Sequence, residues 1–335
     1  MPQRVLIIGG TRNLGPGLVR RLLEDGCAVT VLNRGVTPDD LPAEVERLHA
    51  DRGDPRQLRA ALARREFDAA IDLVLFNGAE AAATVEVLDG LVGHYVFISS
   101  GQVYLVRRAA VPPFRESDYE GEVIAAPHER FDLDNWRYGI GKREAEDVMA
   151  QAWLRRNFPY TSLRIPMVNS ERDHHHRLHG YVRRLREGGP ILVTQEPAPR
   201  LRHIYGPDVI AAAAALVASG AGKGRAYNLA QDETLGLEDF LARLSVLAGT
   251  ASPRCVAVPR RLLLAAGLFP QCSPFSDPWM SEMDTTRAVA EIGARFTPVA
   301  DYLTALVAYW RDKNDPPGYE RRDRELELAR QFSRR

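Results

Sequence analysis

The sequence predicts an α/β protein built on a doubly wound parallel sheet, with a smaller lobe towards the C-terminus. Two features carry this expectation. Short, wholly apolar runs such as Val5–Ile8 and Tyr95–Ile98 alternate with stretches of helical periodicity. A glycine turn also follows the first run directly. Strands that are apolar on both faces belong in a parallel sheet covered by helices on both sides. Right-handed crossovers then place any ligand at the carboxyl ends of the strands.

Taken in order, Val5–Ile8 reads as the first strand and Leu18–Leu23 as an amphipathic helix. Strands are expected at Ala28–Leu32, Arg47–Ala50, Ala69–Val74 and Tyr95–Ile98, with helices at Leu58–Ala63 and Val85–Leu91 between them. A helix from about Tyr138 to Asn157 precedes a strand at Tyr160–Ile165. Beyond it the pattern loosens into Pro, Gly and mixed charge, with helices at Leu237–Leu247 and Pro298–Asp312. An Ala-rich helix at Val209–Val217 and a strand at Arg225–Leu229 return to the main sheet. The expected division is therefore 1–165 plus 205–230 for the sheet domain and 166–204 plus 231–315 for a substrate-binding lobe. Residues 316–335 form a C-terminal helical tail, in which Tyr319–Arg335 mixes Glu and Arg at the spacing of a solvated helix.

A chain of 335 residues suits one large domain with an appended lobe, or two domains. Lys plus Arg equals Asp plus Glu at 44 each, so no net charge draws the chain to nucleic acid or an anionic membrane. Arg183, Arg184 and Arg186 form a local basic cluster that is a candidate anion contact. The amino terminus does not read as a secretory signal, and no apolar stretch nears the roughly 18 residues of a membrane span. The three cysteines are scattered and odd in number, as expected of reduced thiols in a cytoplasmic protein.

The turn Gly9-Gly10-Thr11-Arg12-Asn13-Leu14-Gly15 lies between the first strand and first helix. There, small residues let the backbone approach a pyrophosphate, and the helix start offers free N–H groups. At the end of the second strand, Asn33-Arg34 stands where a carboxylate would bind a ribose 2′-hydroxyl. A guanidinium there pairs with a 2′-phosphate instead, and Arg12 adds a second cation. NADP(H) is favoured, with NAD(H) the alternative. Asp51 and Arg52, after the third strand, are candidates for the adenine end.

Tyr138 and Lys142 stand four residues apart, on one face of the same helix. A phenol titrates near ~10, and a neighbouring ammonium stabilises its anion. Ser99-Ser100 ends the Tyr95–Ile98 strand, where a hydroxyl can hold a substrate oxygen while Tyr138 moves its proton. Ser100 is the first candidate for this role and Ser99 the second.

Together GGTRNLG, LNRG, DRGD, FISSGQVY and YGIGK resemble the extended or atypical short-chain dehydrogenase/reductases, the NAD-dependent epimerase/dehydratase family, in its GGTR-type subgroup. LRIP and RHIYGPDV extend the likeness to about residue 230. The resemblance implies a Rossmann-type sheet, with Ser100, Tyr138 and Lys142 as the catalytic set and Asp51 as an adenine contact. It places Leu75, Phe76 and Asn77 in the cofactor wall, joined by Ser99 and Pro166, and implies a homodimer formed partly through the Tyr138 helix. Arg12 stands where many members have a glycine, and the subgroup includes plastid RNA-associated proteins. Met167 stands where nucleotide-sugar enzymes commonly carry Asn, and Asn169 is a candidate replacement.

Asp173-His174-His175-His176 and His179 suggest a metal, but three consecutive imidazoles cannot easily converge on one ion, and no metal is expected. His174, Arg177, Arg200, Arg202 and His203 are candidates for the substrate cleft, and Trp136 for its wall. The expectation is an NADP(H)-preferring oxidoreductase or epimerase that transfers hydride at a carbinol or ketone carbon of a polar, sugar-like small molecule. The rival reading is a non-catalytic nucleotide- or RNA-associated binding protein of the same fold; nucleic acid is not the expected partner.

Overall fold

The computed structural model describes residues 1–197 and 199–333, so the last two residues of the expected tail lie outside it. The chain runs β1 (Arg4–Ile8), α1 (Gly15–Glu24), β2 (Ala28–Asn33), β3 (Glu46–His49), α2 (Pro55–Leu62), β4 (Ala69–Asp72) and α3 (Gly78–Leu88). It continues through β5 (Tyr95–Ser100), α4 (Gln102–Leu105), α5 (Arg130–Arg156), β6 (Tyr160–Ile165), β7 (Val168–Asn169), α6 (Arg177–Glu187), β8 (Ile191–Thr194), β9 (Ile204–Tyr205) and α7 (Gly206–Ser219). The last elements are β10 (Arg225–Asn228), α8 (Leu237–Leu247), β11 (Cys255–Val258), α9 (Arg260–Ala265), α10 (Thr286–Ile292), α11 (Val299–Trp310) and α12 (Arg322–Ser333).

Seven strands form one parallel sheet in the order β3-β2-β1-β4-β5-β6-β10. This is the Rossmann-type doubly wound fold. Alternation within β1 shows why both faces are covered. Val5 and Ile7 pack with Leu18 and Leu22 of α1 and Val209 and Leu216 of α7, whereas Leu6 and Ile8 pack with Leu58 of α2, Leu88 of α3 and Met149 of α5. The strand order reverses between β1 and β4, which opens a crevice outside their carboxyl ends.

Several boundaries differ from the sequence expectation, and local hydrogen bonds explain them. β4 stops at Asp72 because the Asp72 Oδ1 accepts the Val74 N–H at 2.8 Å and turns the chain. α3 starts at Gly78, where the Asn77 side chain caps it by accepting the Glu80 N–H at 3.0 Å. α5 begins at Arg130, well before Tyr138, with Glu129 accepting the Asp132 N–H at 3.0 Å.

In the lobe, Tyr181 of α6, Phe240 of α8 and Tyr302 of α11 share one core, and β8 and β11 pair in parallel beside it. The tail helix is solvated on one face, as its composition suggests, but its other face is buried. Arg322 and Glu325 of α12 are buried, and Glu325 accepts from Arg184 Nε at 2.9 Å and Nη2 at 2.5 Å, and from Arg322 Nη1 at 3.0 Å. Arg322 Nε also donates to Glu187 at 2.6 Å. Mixed charge at helical spacing is here a buried ion cluster, so Arg184 of the basic run is no free anion contact. No described helix is long and apolar enough to cross a membrane.

Removing Glu325 would strand the Arg184 guanidinium, whose side chain is 2% exposed. Glu325→Ala is expected to destabilise the protein by about 3–5 kcal/mol in chemical denaturation. A loss under about 1 kcal/mol would show that the cluster does not hold the tail in place.

Candidate active site

The crevice widens into a cavity of about 980 Å³ that runs from the carboxyl ends of β1 and β2 to the lobe. Gly9 through Leu14 form one wall. Gly9 and Gly10 hold φ values of +98° and +97°, which favour glycine. Gly15 does not line the cavity. It lets α1 close onto the turn, since a Cβ there would lie 2.3 Å from the Gly10 carbonyl carbon. No side chain caps the start of α1; the Gly15 N–H donates to the Arg12 carbonyl at 2.9 Å and Pro16 has no N–H, which leaves the Gly17 N–H as the amide open to an anion at the helix start. This cradle fits a dinucleotide pyrophosphate.

Asn33 and Arg34 continue the wall, and Arg34 is exposed at the rim. The Asn33 Oδ1 accepts the Gly35 N–H at 2.7 Å, and Arg12 Nη2 donates to Thr37 Oγ1 at 3.1 Å, tying the two loops together. Asp51 lines the cavity, with its Oδ1 accepting the Gly53 N–H at 2.9 Å. Arg52 also borders it, but its guanidinium turns inward to Glu80 (2.7 Å), Asp72 (2.5 Å) and Thr84 (2.9 Å). Leu75 and Asn77 do not line the cavity: Leu75 is fully buried and Asn77 caps α3. Leu73, Val74 and Phe76 form that wall instead.

Lys142 is 2% exposed, and its Nζ donates to the carbonyls of Leu75 (2.6 Å), in the loop after β4, and Ile98 (2.8 Å), within β5. The ammonium lies 5.7 Å from the Tyr138 ring centre and 5.1 Å from that of Phe76. Burial pushes its pKa down to about 8, with Asp72 and Glu146 opposing the shift. Tyr138 stays 36% exposed, its open surface facing the cavity. Desolvation raises the pKa of its phenol, while a hydrogen bond with Ser100 and the charge of Arg177 pull the other way. Ser99 borders the cavity too, but its hydroxyl donates to Glu146 Oε1 at 2.5 Å and has a structural partner.

On the lobe side Pro166, Met167, His174 and Arg177 line the cavity. Asn169 does not: it is 2% exposed and bonds His203 Nδ1 (3.2 Å) and the Tyr302 hydroxyl (3.3 Å). His203 lies in the core, 4.5 Å centre to centre from Phe275, and burial drives its pKa down to about 3. Arg202 donates to the Gln231 carbonyl (2.9 Å), and Arg200 pairs with Glu282 at 3.8 Å, both away from the cavity. Trp136 donates to the Ile124 carbonyl and is also outside it.

The histidines do not converge. His179 stacks on Trp310, burial holds His175 and His179 near 4, and no cluster of three metal-ligating side chains occurs among the described residues. Sequence reasoning missed the Gln102–Asn135 pair (2.8 Å), Asp277, Trp279 and the Pro316–Tyr319 strap, all of which line the cavity. None of them carries a local motif.

The pattern of the NAD dependent epimerase/dehydratase family matches residues 5–230. A 2′-dehydrokanamycin reductase of Streptomyces kanamyceticus is 28% identical over 245 residues, covering 72% of this chain and 65% of that protein. The chloroplast stem-loop binding protein of 41 kDa b of Arabidopsis thaliana is 28% identical over 206 residues, 57% of this chain and 49% of that protein. The chain thus spans less than two thirds of the length of either relative. Among solved structures, the Thermotoga maritima UDP-glucose 4-epimerase superposes with a TM-score of 0.73 at 17% identity, covering 92% of this chain and 98% of that one. The dTDP-glucose 4,6-dehydratase DesIV of Streptomyces venezuelae, solved with NAD, gives 0.71 at 19% identity, covering 92% and 97%. At these identities the two structures speak for the fold, and the family match speaks for kinship: the chain belongs to the NAD-dependent epimerase/dehydratase family of extended short-chain dehydrogenase/reductases.

Proposed function

We propose that the protein is an NADP(H)-preferring oxidoreductase that reduces a carbonyl of a polar, hydroxylated, sugar-like substrate. The observation that carries this reading is the Lys142 ammonium, fixed on the Leu75 and Ile98 carbonyls beside Tyr138 and bordering the glycine-turn cavity. The Streptomyces relative, by its name a reductase, supports net reduction over a redox-neutral cycle. The RNA-associated reading suggested by the Arabidopsis relative is weaker, because zero net charge provides no electrostatic footprint for nucleic acid.

Gly9–Leu14 and the start of α1 would hold the dinucleotide, Arg34 its 2′-phosphate and Asp51 its adenine end. The bound nicotinamide supplies the hydride. Tyr138, whose desolvation raises the pKa of its phenol further above neutrality, donates its phenolic proton to the substrate oxygen, which Ser100 Oγ positions. Lys142 and Arg177 then stabilise the phenolate. A homodimer through α5 belongs to the same reading. Leu154, 81% exposed on that helix, is a side chain the contact would cover. Sedimentation as a monomer at assay concentrations would refute the dimer.

Tyr138→Phe is expected to lower kcat by roughly 10²–10⁴-fold while NADPH still binds. The Lys142 cation is present below about pH 8 and lost above it, so kcat/KM for reduction should fall on the alkaline side of that value. A flat profile through that range would remove Lys142 from the mechanism. Arg34→Ala should weaken NADPH binding by about tenfold or more and leave NADH binding unchanged. An unaltered ratio in a fluorescence titration would reject the NADP(H) preference.

A further inference from the structure

Asp277 is a carboxylate on the cavity wall that is 8% exposed. Its one hydrogen bond comes from the Trp279 backbone N–H, at 3.0 Å to Oδ1, and among the described residues no side chain bonds or pairs with it. The charged groups that face it are Arg260, Asp132 and Arg177. Both guanidinium groups hydrogen-bond other carboxylates, and Arg260 Nε is buried with no partner among the described residues. Arg260 grips Asp132 through Nη1 (3.0 Å) and Nη2 (2.6 Å), and the Trp279 indole N–H holds the same carboxylate at 2.8 Å. Arg177 Nη1 donates to Asp173 at 3.0 Å. Burial pushes the Asp277 carboxyl up to about 6, which still leaves it ionised at neutral pH.

A desolvated anion without a cation partner is costly unless something supplies donors and positive charge. Here that can come from the cavity. The other cation on the lobe side, Arg184, has all its nitrogens engaged by Glu325 and the Gly180 carbonyl. A diphosphate in this half of the cavity would meet an unpaired carboxylate, with both neighbouring arginines already balanced. A hydroxyl could offer Asp277 one hydrogen bond. An ammonium offers three donors and the missing charge.

We propose that Asp277 is the specificity residue of the lobe-side pocket and takes a protonated amine of the substrate, so that the preferred substrates are amino-substituted sugars rather than sugar nucleotides. This rests on the reading of the cavity as a carbonyl-reducing site, and deepens it.

Calorimetric titration of the full-length, NADPH-loaded protein tests the proposal with three probes: the β-1,4-linked glucosamine disaccharide, cellobiose and UDP-glucose. The aminated disaccharide should bind about tenfold or more tighter than cellobiose, which differs from it by hydroxyls in place of ammonium groups. Asp277→Asn should abolish that advantage and leave cellobiose unchanged. The Asn carbonyl can still accept the Trp279 N–H, so the loop keeps its local bond. Asp277→Glu should restore part of the preference. The proposal is overturned if the wild-type protein does not favour the amine, if Asp277→Asn weakens both disaccharides equally or neither, or if UDP-glucose binds tightest. Selective amine binding without NADPH-dependent turnover of any carbonyl compound would count against the reductase reading and leave the Asp277 assignment standing.

Discussion

The site depends on how α5 is fastened across the ends of the central strands. Lys142 donates to the carbonyls of Leu75, in the loop after β4, and Ile98, within β5, and one helical turn later Glu146 accepts from Ser99 of β5 and from Arg164 of β6. Lysine and glutamate at i and i+4 share a face, and here that face is buried. A buried ammonium needs such carbonyls, because desolvation otherwise penalises its charge. The helix can come this close because residue 141 is glycine: a Cβ there would lie 2.5 Å from the Phe76 carbonyl oxygen. Tyr138 is carried into the cavity one turn before the clamp, so its position follows from the packing beneath it.

Charge is distributed unevenly along the cavity. At the glycine-turn end Arg34 is exposed at the rim, with no ion pair among the described residues. In the middle, Arg52 is neutralised by Asp72 and Glu80 and serves the wall rather than the ligand. At the lobe end the arginines are already paired and the carboxylate of Asp277 is left over. Two ends of opposite character suit two ligands of different charge held side by side.

The lobe and tail form a unit through interactions between residues far apart in sequence. Arg184 of α6 meets Glu325 of α12, Arg260 at the start of α9 meets Asp132 at the start of α5, and Tyr319 bonds Glu187 at 2.5 Å. The second of these ties the lobe directly to the helix that carries Tyr138.

The sheet was legible from the chain because each strand is a short apolar run bounded by turn residues, and period and burial agree along Val5–Ile8 and Tyr95–Ile98. The glycine turn and the Tyr138–Lys142 spacing were legible for the same reason, since each depends on residues within a few positions of one another. Arg202, His203 and Asn169 looked like cleft residues because their chemistry suits a ligand, yet each found a protein partner instead. Arg322 and Glu325 looked solvated because charge usually is, and their burial became clear only once Arg184 was placed opposite them. Local spacing determines backbone geometry and which side chains share a face. Whether a polar side chain faces the cavity or spends its hydrogen bonds inside the protein depends on partners 29 to 141 residues away, and that choice belongs to the packed structure.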